Sequence, residues 1–540
     1  MKKSNFTMQA LLGFLIIALL SGQLYAQEEN YVSGKVFPAG MQTPMRDVAV
    51  QIQGDESSQV LTDGNGFFKI QVASFPVSLE FIREKYTTQV VKVKKASDIS
   101  VYLSASDRET NDYGQEVGVR VSLNPESRDG ILMLSSTDKR FKYWFDNRVY
   151  FDGAFYMGDN TYQGETHEIG NGVNIRRMRF AMKAILWGHW GGEIDFDFGN
   201  NAVDIKDAYI RYIGNNWQIK AGNFREPFSL STMTTSRYIT FIERSYPSEQ
   251  APSRHLGVAY KTFSNHLFFE GGVFSSNLAN DLIRDQNKSK GTDAGWSVTA
   301  RTAWAPIKKD KEVLHIGVAG SYRTPKIQEI GDPINSFRYG ENAETEINRK
   351  KYIDTDWVED CQTKVILGTE LAYAINNLRF QGEYIITRIQ RDVNEVPEGE
   401  DKMKLGGFYM MGSWLVNNAD YYYNMGDAEF SQVDFRDNQK GAFEVALRYS
   451  FMDANSFKEG EDIPFIAGGS GETYTLGLNY YFNYNVKLML NYAYVNHDRW
   501  ADGKGKHTTF DVNEAGEDIT PAGEGGIDFS TIQARILIAF

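Results

Sequence analysis

The chain is short of several things that would each have pointed elsewhere. It has one cysteine, Cys361, in 540 residues, so neither an internal disulfide framework nor a cysteine-based metal site can form. Beyond residue 20 no apolar run approaches the ~20 residues a helix needs to cross a bilayer, so any membrane insertion must be as a closed barrel. Prolines number 13 against 49 glycines, a balance that suits many strands joined by tight turns. The seven histidines have no HExxH or comparable spacing and no nucleophile motif stands out. No catalytic residue, cofactor or metal ion is expected, and no nucleic-acid partner.

What is present favours an all-β chain: 14% aromatic residues, with 30 Tyr and 34 Phe. A mean hydropathy of −0.42 and a net charge of −13 resemble a large soluble acidic protein. A transmembrane barrel alternates lipid-facing apolar residues with lumen-facing polar ones, however, and so keeps its mean hydropathy low. Average hydropathy therefore does not exclude it.

The N-terminus predicts export. Lys2 and Lys3 form a positive region, Ala10 to Leu20 an apolar one, and Leu24-Tyr25-Ala26 a small-residue cleavage site, the layout of a signal peptide over residues 1–26. No cysteine follows it to carry a lipoprotein anchor.

Residues 27–104 contain short alternating segments, among them Val32 to Val36, Val48 to Ile52 and Phe67 to Val72, which predict a small β-sandwich. Its Thr62-Asp63-Gly64-Asn65-Gly66-Phe67 stretch fails the calcium-loop pattern, because Phe67 takes a ligand position and the bidentate Glu is missing. It reads as a Gly-rich hairpin turn. Through Ser33-Gly34-Lys35-Val36, Asp47-Val48-Ala49-Val50 and Thr62-Asp63-Gly64-Asn65-Gly66 the segment resembles the carboxypeptidase regulatory-like domain. That resemblance implies a non-catalytic periplasmic accessory role. Residues 105–139 are polar and weakly patterned, and read as a linker.

From 140 to 540 a period-2 pattern dominates. Met178, Phe180 and Met182 share one face, with Arg177, Arg179, Ala181 and Lys183 on the other and Arg176 out of phase on the apolar side. Phe443, Val445, Leu447, Tyr449 and Phe451 likewise oppose Glu444, Ala446, Arg448 and Ser450. Alternation alone does not separate a soluble sandwich from a membrane barrel. Three features favour the barrel. Segments of about ten residues recur roughly sixteen times, the first near residue 141, and short connections such as Asn376-Asn377 alternate with long acidic ones. The chain also closes on an alternating strand ending in Phe540, which resembles the assembly signal of outer-membrane barrels. The 415–440 stretch breaks the rule, being long where a short turn is due; it signals either a structured turn or a miscounted strand. The predicted fold is thus all-β: an antiparallel transmembrane β-barrel of about sixteen strands with a small N-terminal β-sandwich.

Gly222-Asn223-Phe224-Arg225-Glu226-Pro227-Phe228-Ser229, Ser236 to Ser245, Gly441 to Ser450 and Ile205-Lys206-Asp207-Ala208-Tyr209 are similar to the phosphate-selective porin O/P family. The resemblance implies a trimeric barrel in outer-membrane lipid whose third long loop folds inward. On the residues themselves, the 225–254 connection holds Arg225, Arg237, Arg244 and Arg254 within one excursion, a candidate pore constriction. In a narrow lumen such charges act more strongly on a passing anion than at an open surface. Arg177, Arg179, Lys183, Lys220 and Lys261 would extend that path along the pore wall. Against it, Glu193, Asp195, Asp197, Asp207, Glu270, Glu370 and Glu383 point inward by the same alternation, so structural ion pairs or a mixed transverse field explain the arginines about as well.

The expected function is passive diffusion of small hydrophilic solutes, including anions such as phosphate, through the outer membrane. The rival reading makes the barrel an anchor whose periplasmic sandwich docks another envelope protein.

Overall fold

The computed structural model describes residues 30–540 apart from 85, 106–108, 111–112, 114–115, 118–121, 129, 159–169, 200–202, 276–294, 326–334, 349–350, 417–418, 435–440, 462–463, 499–510, 513–517 and 520–526. The predicted signal peptide lies outside the described residues. The described residues divide into two compact units, one reaching up to residue 124 with 135–140, the other of 125–134 with 141–540.

In the first unit the strand Asn30–Pro38 pairs antiparallel with Phe67–Val72 and parallel with Asp98–Leu103. A second sheet orders Asp55–Leu61, Ala49–Ile52, Val77–Ile82 and Gln89–Val93. Val32, Val36, Phe68 and Ile70 from one sheet share a buried cluster with Val48, Val50, Leu79 and Phe81 from the other, so the two sheets close on one apolar layer as a sandwich does. The Asp63 carboxylate accepts from the backbone N–H of Asn65 and of Phe67, each at 2.8 Å. This is the hairpin turn that the sequence predicts. Gly66 has φ +68°, and a Cβ there would lie 2.6 Å from Pro44 Cβ, so only glycine fits.

In the second unit sixteen strands pair in chain order: β1 (Arg148–Gly158), β2 (Gly172–Leu186), β3 (Trp190–Asp197), β4 (Asp204–Ile213), β5 (Trp217–Arg225), β6 (Arg254–Phe263), β7 (Leu267–Phe274), β8 (Ser297–Lys309), β9 (Glu312–Arg323), β10 (Cys361–Ile375), β11 (Leu378–Arg391), β12 (Lys402–Leu415), β13 (Ala442–Phe457), β14 (Pro464–Tyr481), β15 (Val486–Asp498) and β16 (Ile527–Ala539). Antiparallel pairing of β1 with β16, from Arg148↔Ala539 to Gly158↔Phe529, closes the barrel and removes its edges. The segment expected near 141 as the first barrel strand is instead a short strand, Lys142–Phe145, on the end of β2. The chain then turns through Asp146 and Asn147, whose backbone exchanges hydrogen bonds with Phe540, and β1 begins at Arg148.

Burial decides what alternation could not. Leu447 is 63% exposed and Ile210 62%, whereas Arg301 and Arg535 are each 1% exposed. Apolar side chains outside and ionised ones inside is the reverse of a water-soluble sandwich and the economy of a barrel in lipid. Trp190, Tyr212, Trp217 and Tyr260 run as neighbouring rings, 5.1 to 6.3 Å apart, an aromatic girdle near one rim. Short connections such as Asp310-Lys311 and Asn376-Asn377 gather at that rim, the turn end, with both ends of the barrel chain. The long connections occupy the opposite, loop end, except the one that follows β12 at the turn end.

Arg176 departs from the predicted face. The β1–β2 register shifts between Tyr150 and Phe151, so Arg176 is the extra residue of a β-bulge. The bulge turns Arg176 inward beside Arg177 while Ile175 and Met178 stay exposed on the outer face.

Candidate functional site

The site is the lumen and two segments folded into it. Residues 226–253, between β5 and β6, cross the barrel from wall to wall. Glu226 is fully buried, taking Arg323 Nη1 at 2.8 Å and the hydroxyl of Thr299. Phe228 packs over Gly368 of β10 at a point where a Cβ would lie 3.0 Å from its ring. The next turn, Leu230–Met233, presents two free backbone N–H groups, of Leu230 and Ser231, to the Glu383 carboxylate of β11 at 3.0 and 2.7 Å, which satisfies donors that a short helix cannot satisfy itself.

Further along the wall grips the loop backbone. Lys487 donates to Ile239 O at 2.8 Å, Asn479 to Thr240 O at 2.8 Å, Arg535 to Ile242 O at 2.5 Å and Arg448 to Glu243 O at 2.9 Å. Arg535, held bidentate by Asp152 at 2.7 and 2.6 Å, also reaches Glu243 at 2.7 Å. Burial pushes the Glu243 carboxyl up, but the guanidiniums of Arg176, Arg535 and Arg177 hold it well below the usual carboxylate range. Tyr246 closes the excursion with a 2.8 Å contact to His497 of β15.

The four arginines predicted for this constriction separate into two kinds. Arg237 pairs with Asp146 at 3.2 Å, and Arg254, the first residue of β6, forks onto Asp207 at 3.0 and 2.8 Å. Arg244 donates only to the backbone oxygens of Ser231 and Thr234, at 2.9 and 2.8 Å, and Arg225 has no hydrogen-bond or ion-pair partner among the described residues. Its charged neighbours are Arg254, Arg244, Glu249 and Asp207.

The predicted wall residues divide in the same way. Arg179 pairs with Asp197 at 3.0 Å and Asp195 at 3.4 Å; Lys183 with Asp146 and Glu193 at 3.2 and 3.3 Å; Lys220 with Glu270 at 3.7 Å; Lys261 with Asp427 at 2.6 Å. Arg177 is without an acid in ion-pair contact among the described residues. Its buried Nε lacks a partner among the described residues, and its guanidinium lies 5.9 Å from the Tyr150 ring. Glu193, Asp195 and Asp207 lie close enough together to suggest a cation site. Each already faces a lysine or arginine, so the cluster is the acidic half of an ion-pair network.

The second segment, residues 419–434, enters from the turn end and settles the ambiguity at 415–440 in favour of a structured turn. A small hairpin pairs Tyr423–Asn424 with Glu429–Phe430. Tyr421, Tyr423, Met425, Phe430 and Val433 pack on Ala303, Ala305, Val313, Ala372 and Ala374 of the wall and on Leu230 of the first segment. Arg301, fully buried on Glu370 at 2.8 Å, donates to Ala428 O at 2.8 Å, and His315 meets both Tyr423 OH and Glu370. Burial and the neighbouring Asp427 push the Glu429 carboxyl up to about 8.

Sequence reasoning missed Arg301, Arg379, Arg448 and Arg535, which hold both segments in place. Each lies on the polar face of an alternating strand, so the same period-2 count flags them. It missed Glu243, and Glu344, which pairs with Arg448 and accepts from the Tyr246 backbone N–H at 3.2 Å, because loop residues carry no periodic signal. Arg176, Glu243, Arg244, Glu249, Glu341 and Lys351 border a cavity of about 250 Å³ of mixed charge.

The model of the family described as phosphate-selective porin O and P matches residues 147–516, well over half of the chain. Porin O of Pseudomonas aeruginosa is 23% identical over 403 residues, 70% of this chain and 88% of that protein. A Caulobacter vibrioides protein is 23% identical over 359 residues, 64% of this chain and 68% of its own length. Similar solved structures include an anion-selective porin from Comamonas acidovorans, 13% identical with TM-score 0.44, covering 74% of this chain and all of that one. The outer-membrane channel DcaP of Acinetobacter baumannii is 11% identical with TM-score 0.42, covering 75% and 99%. With residues 147–516 matched and a sixteen-strand barrel closed around a charged lumen, this chain belongs to the phosphate-selective porin O and P family, and is a porin of the bacterial outer membrane rather than an enzyme.

Proposed function

We propose that the lumen passes small hydrophilic solutes by passive diffusion with a preference for small anions, phosphate among them, and that residues 226–253 act as its filter. The observation that carries this reading is the set Arg177, Arg225 and Arg244, three guanidiniums on the lumen with no carboxylate in ion-pair contact among the described residues. The paired cations cancel locally, and these three contribute uncancelled positive charge to the field that a solute meets. A guanidinium offers several donors suited to phosphate or carboxylate oxygens, and a series of them lets an ion pass from one to the next without being held. The description of the matched family supports phosphate as the first solute to test.

The unit built on residues 30–103 supports a periplasmic accessory role of carboxypeptidase regulatory-like type. Its separate core is the reason to expect that an envelope protein docks there, and the family resemblance is the reason to expect a homotrimer. Single-channel recording of the refolded protein in a planar bilayer, with phosphate added as competitor, tests the pore. Stepwise chloride currents that phosphate reduces are expected; verified folded barrels without conductance would move the weight to anchoring.

A further inference from the structure

A second cavity, of about 510 Å³, lies near the loop end beside the constriction. That volume falls in the range of small-molecule sites, about 300–1,000 Å³. Its walls come from residues 249–253, from β9 to β12, and from the hairpin that Phe337–Asn342 forms with Lys351–Val358.

The charges on these walls are not equivalent. Arg323 is committed to Glu226 at 2.8 and 2.9 Å, and Arg338 forks onto Asp354 at 2.9 and 2.6 Å. Glu249, at the edge, has Arg225 and Arg244 as charged neighbours. Lys364 of β10 differs. Its Nζ has no hydrogen-bond or ion-pair partner among the described residues and lies 4.3 Å from the centroid of the Phe337 ring.

An ammonium withdrawn from bulk water keeps three donors to satisfy, and a ring face offsets only part of the lost hydration. The remainder calls for an acceptor from the cavity itself. Besides Phe337, the same cavity is lined by Tyr339, Trp357 and Trp296, far more apolar surface than a hydrated inorganic ion uses. A positive charge with no acid in contact among the described residues, over one ring face in an aromatic-lined cavity, suits one negative charge on a flat apolar body.

We propose that this cavity is a binding site for small organic monoanions with an aromatic or similarly flat body, whose carboxylate is held by Lys364. Such a ligand sits beside the conduction path, so the site captures organic acids whether or not they go on to cross. The idea deepens the anion-pore reading but stands on its own residues.

The test is calorimetric titration of the refolded full chain with 1-naphthoate, alongside inorganic phosphate and neutral 1-naphthalenemethanol. Naphthoate is expected to bind, and Lys364→Met to weaken it by about tenfold, the effect of losing one charge-assisted contact. Lys364→Arg should restore most of the affinity. The alcohol should bind far more weakly, and inorganic phosphate should not compete at equal concentration. Equal naphthoate affinity in the wild type and Lys364→Met, or no binding to a folded barrel, would overturn the proposal. Bilayer recording of the same samples separates the two readings: conductance without naphthoate binding removes this site alone, and binding without conductance removes the pore alone.

Discussion

Residues 226–253 and 419–434 both fold into the lumen, one from the loop end and one from the turn end, and they are held there by different physics. The first is gripped through its backbone by charged side chains from around the wall, Arg535, Arg448, Lys487 and Glu383 among them. The second docks through Tyr421, Tyr423 and Phe430 against small wall residues, with Arg301, Lys261, Lys311 and Arg379 among its charged contacts. Burying aromatic side chains of that kind stabilises by about 1.5–3 kcal/mol each, so an apolar face suffices to hold the turn segment. Of the two, only the loop segment brings in an arginine without a matching acid among the described residues, Arg244, and it lies beside Arg225 at the end of β5. On the proposed reading, the turn segment narrows the passage and the loop segment also gives it a sign.

Removing the central grip of the loop segment should have the largest effect. Arg535→Ala leaves Asp152 buried and uncompensated, a loss of about 3–5 kcal/mol. Denaturant unfolding of the barrel should show it as a clearly lowered midpoint, with noisier and larger single-channel currents as residues 239–243 come loose. An unchanged midpoint would mean that the loop is not held through Arg535.

Replacing residues 419–434 by a short Gly-Ser turn should widen the passage, because their aromatic rings no longer fill its turn end. Conductance should rise while the sign of ion preference stays the same. A reversal of sign would place the charge filter in the turn segment and undo the comparison.

A smaller effect concerns Glu429. Neutral below about pH 8, it gains a negative charge as pH rises through that value and then opposes the lumen cations. Anion preference should fall across that interval in the wild type and stay level in Glu429→Gln, read as reversal potential against pH. A level wild-type profile would contradict it.

The contrast between the two segments also marks what a sequence can reveal. Inward placement of Arg177, Arg179, Lys183 and the acids Glu193, Asp195 and Asp207 follows from a local period of two, which needs no tertiary information. Arg176 escaped because one bulge residue resets that phase. Which arginines remain unpaired could not be read either. Arg237 meets Asp146 and Arg254 meets Asp207 through the path of a loop and the stagger of strands far apart in the chain, and both are fixed only when the barrel closes. The aromatic run Tyr421-Tyr422-Tyr423 was visible, but its docking on Ala303 and Ala372 depends on gaps that small residues leave in a distant wall.

The most direct test of the account is the reversal potential of two variants in the same salt gradient. Removal of the unpaired guanidinium in Arg225→Gln should reduce anion preference by a factor of several, as expected for a lumen charge worth about 1 kcal/mol. Arg254→Gln frees Asp207 and should reduce it too, with a lower barrel stability; Arg225→Gln should leave stability nearly unchanged. Anion preference in Arg225→Gln equal to that of the wild type would contradict the claim that unpaired arginines set the sign of the passage.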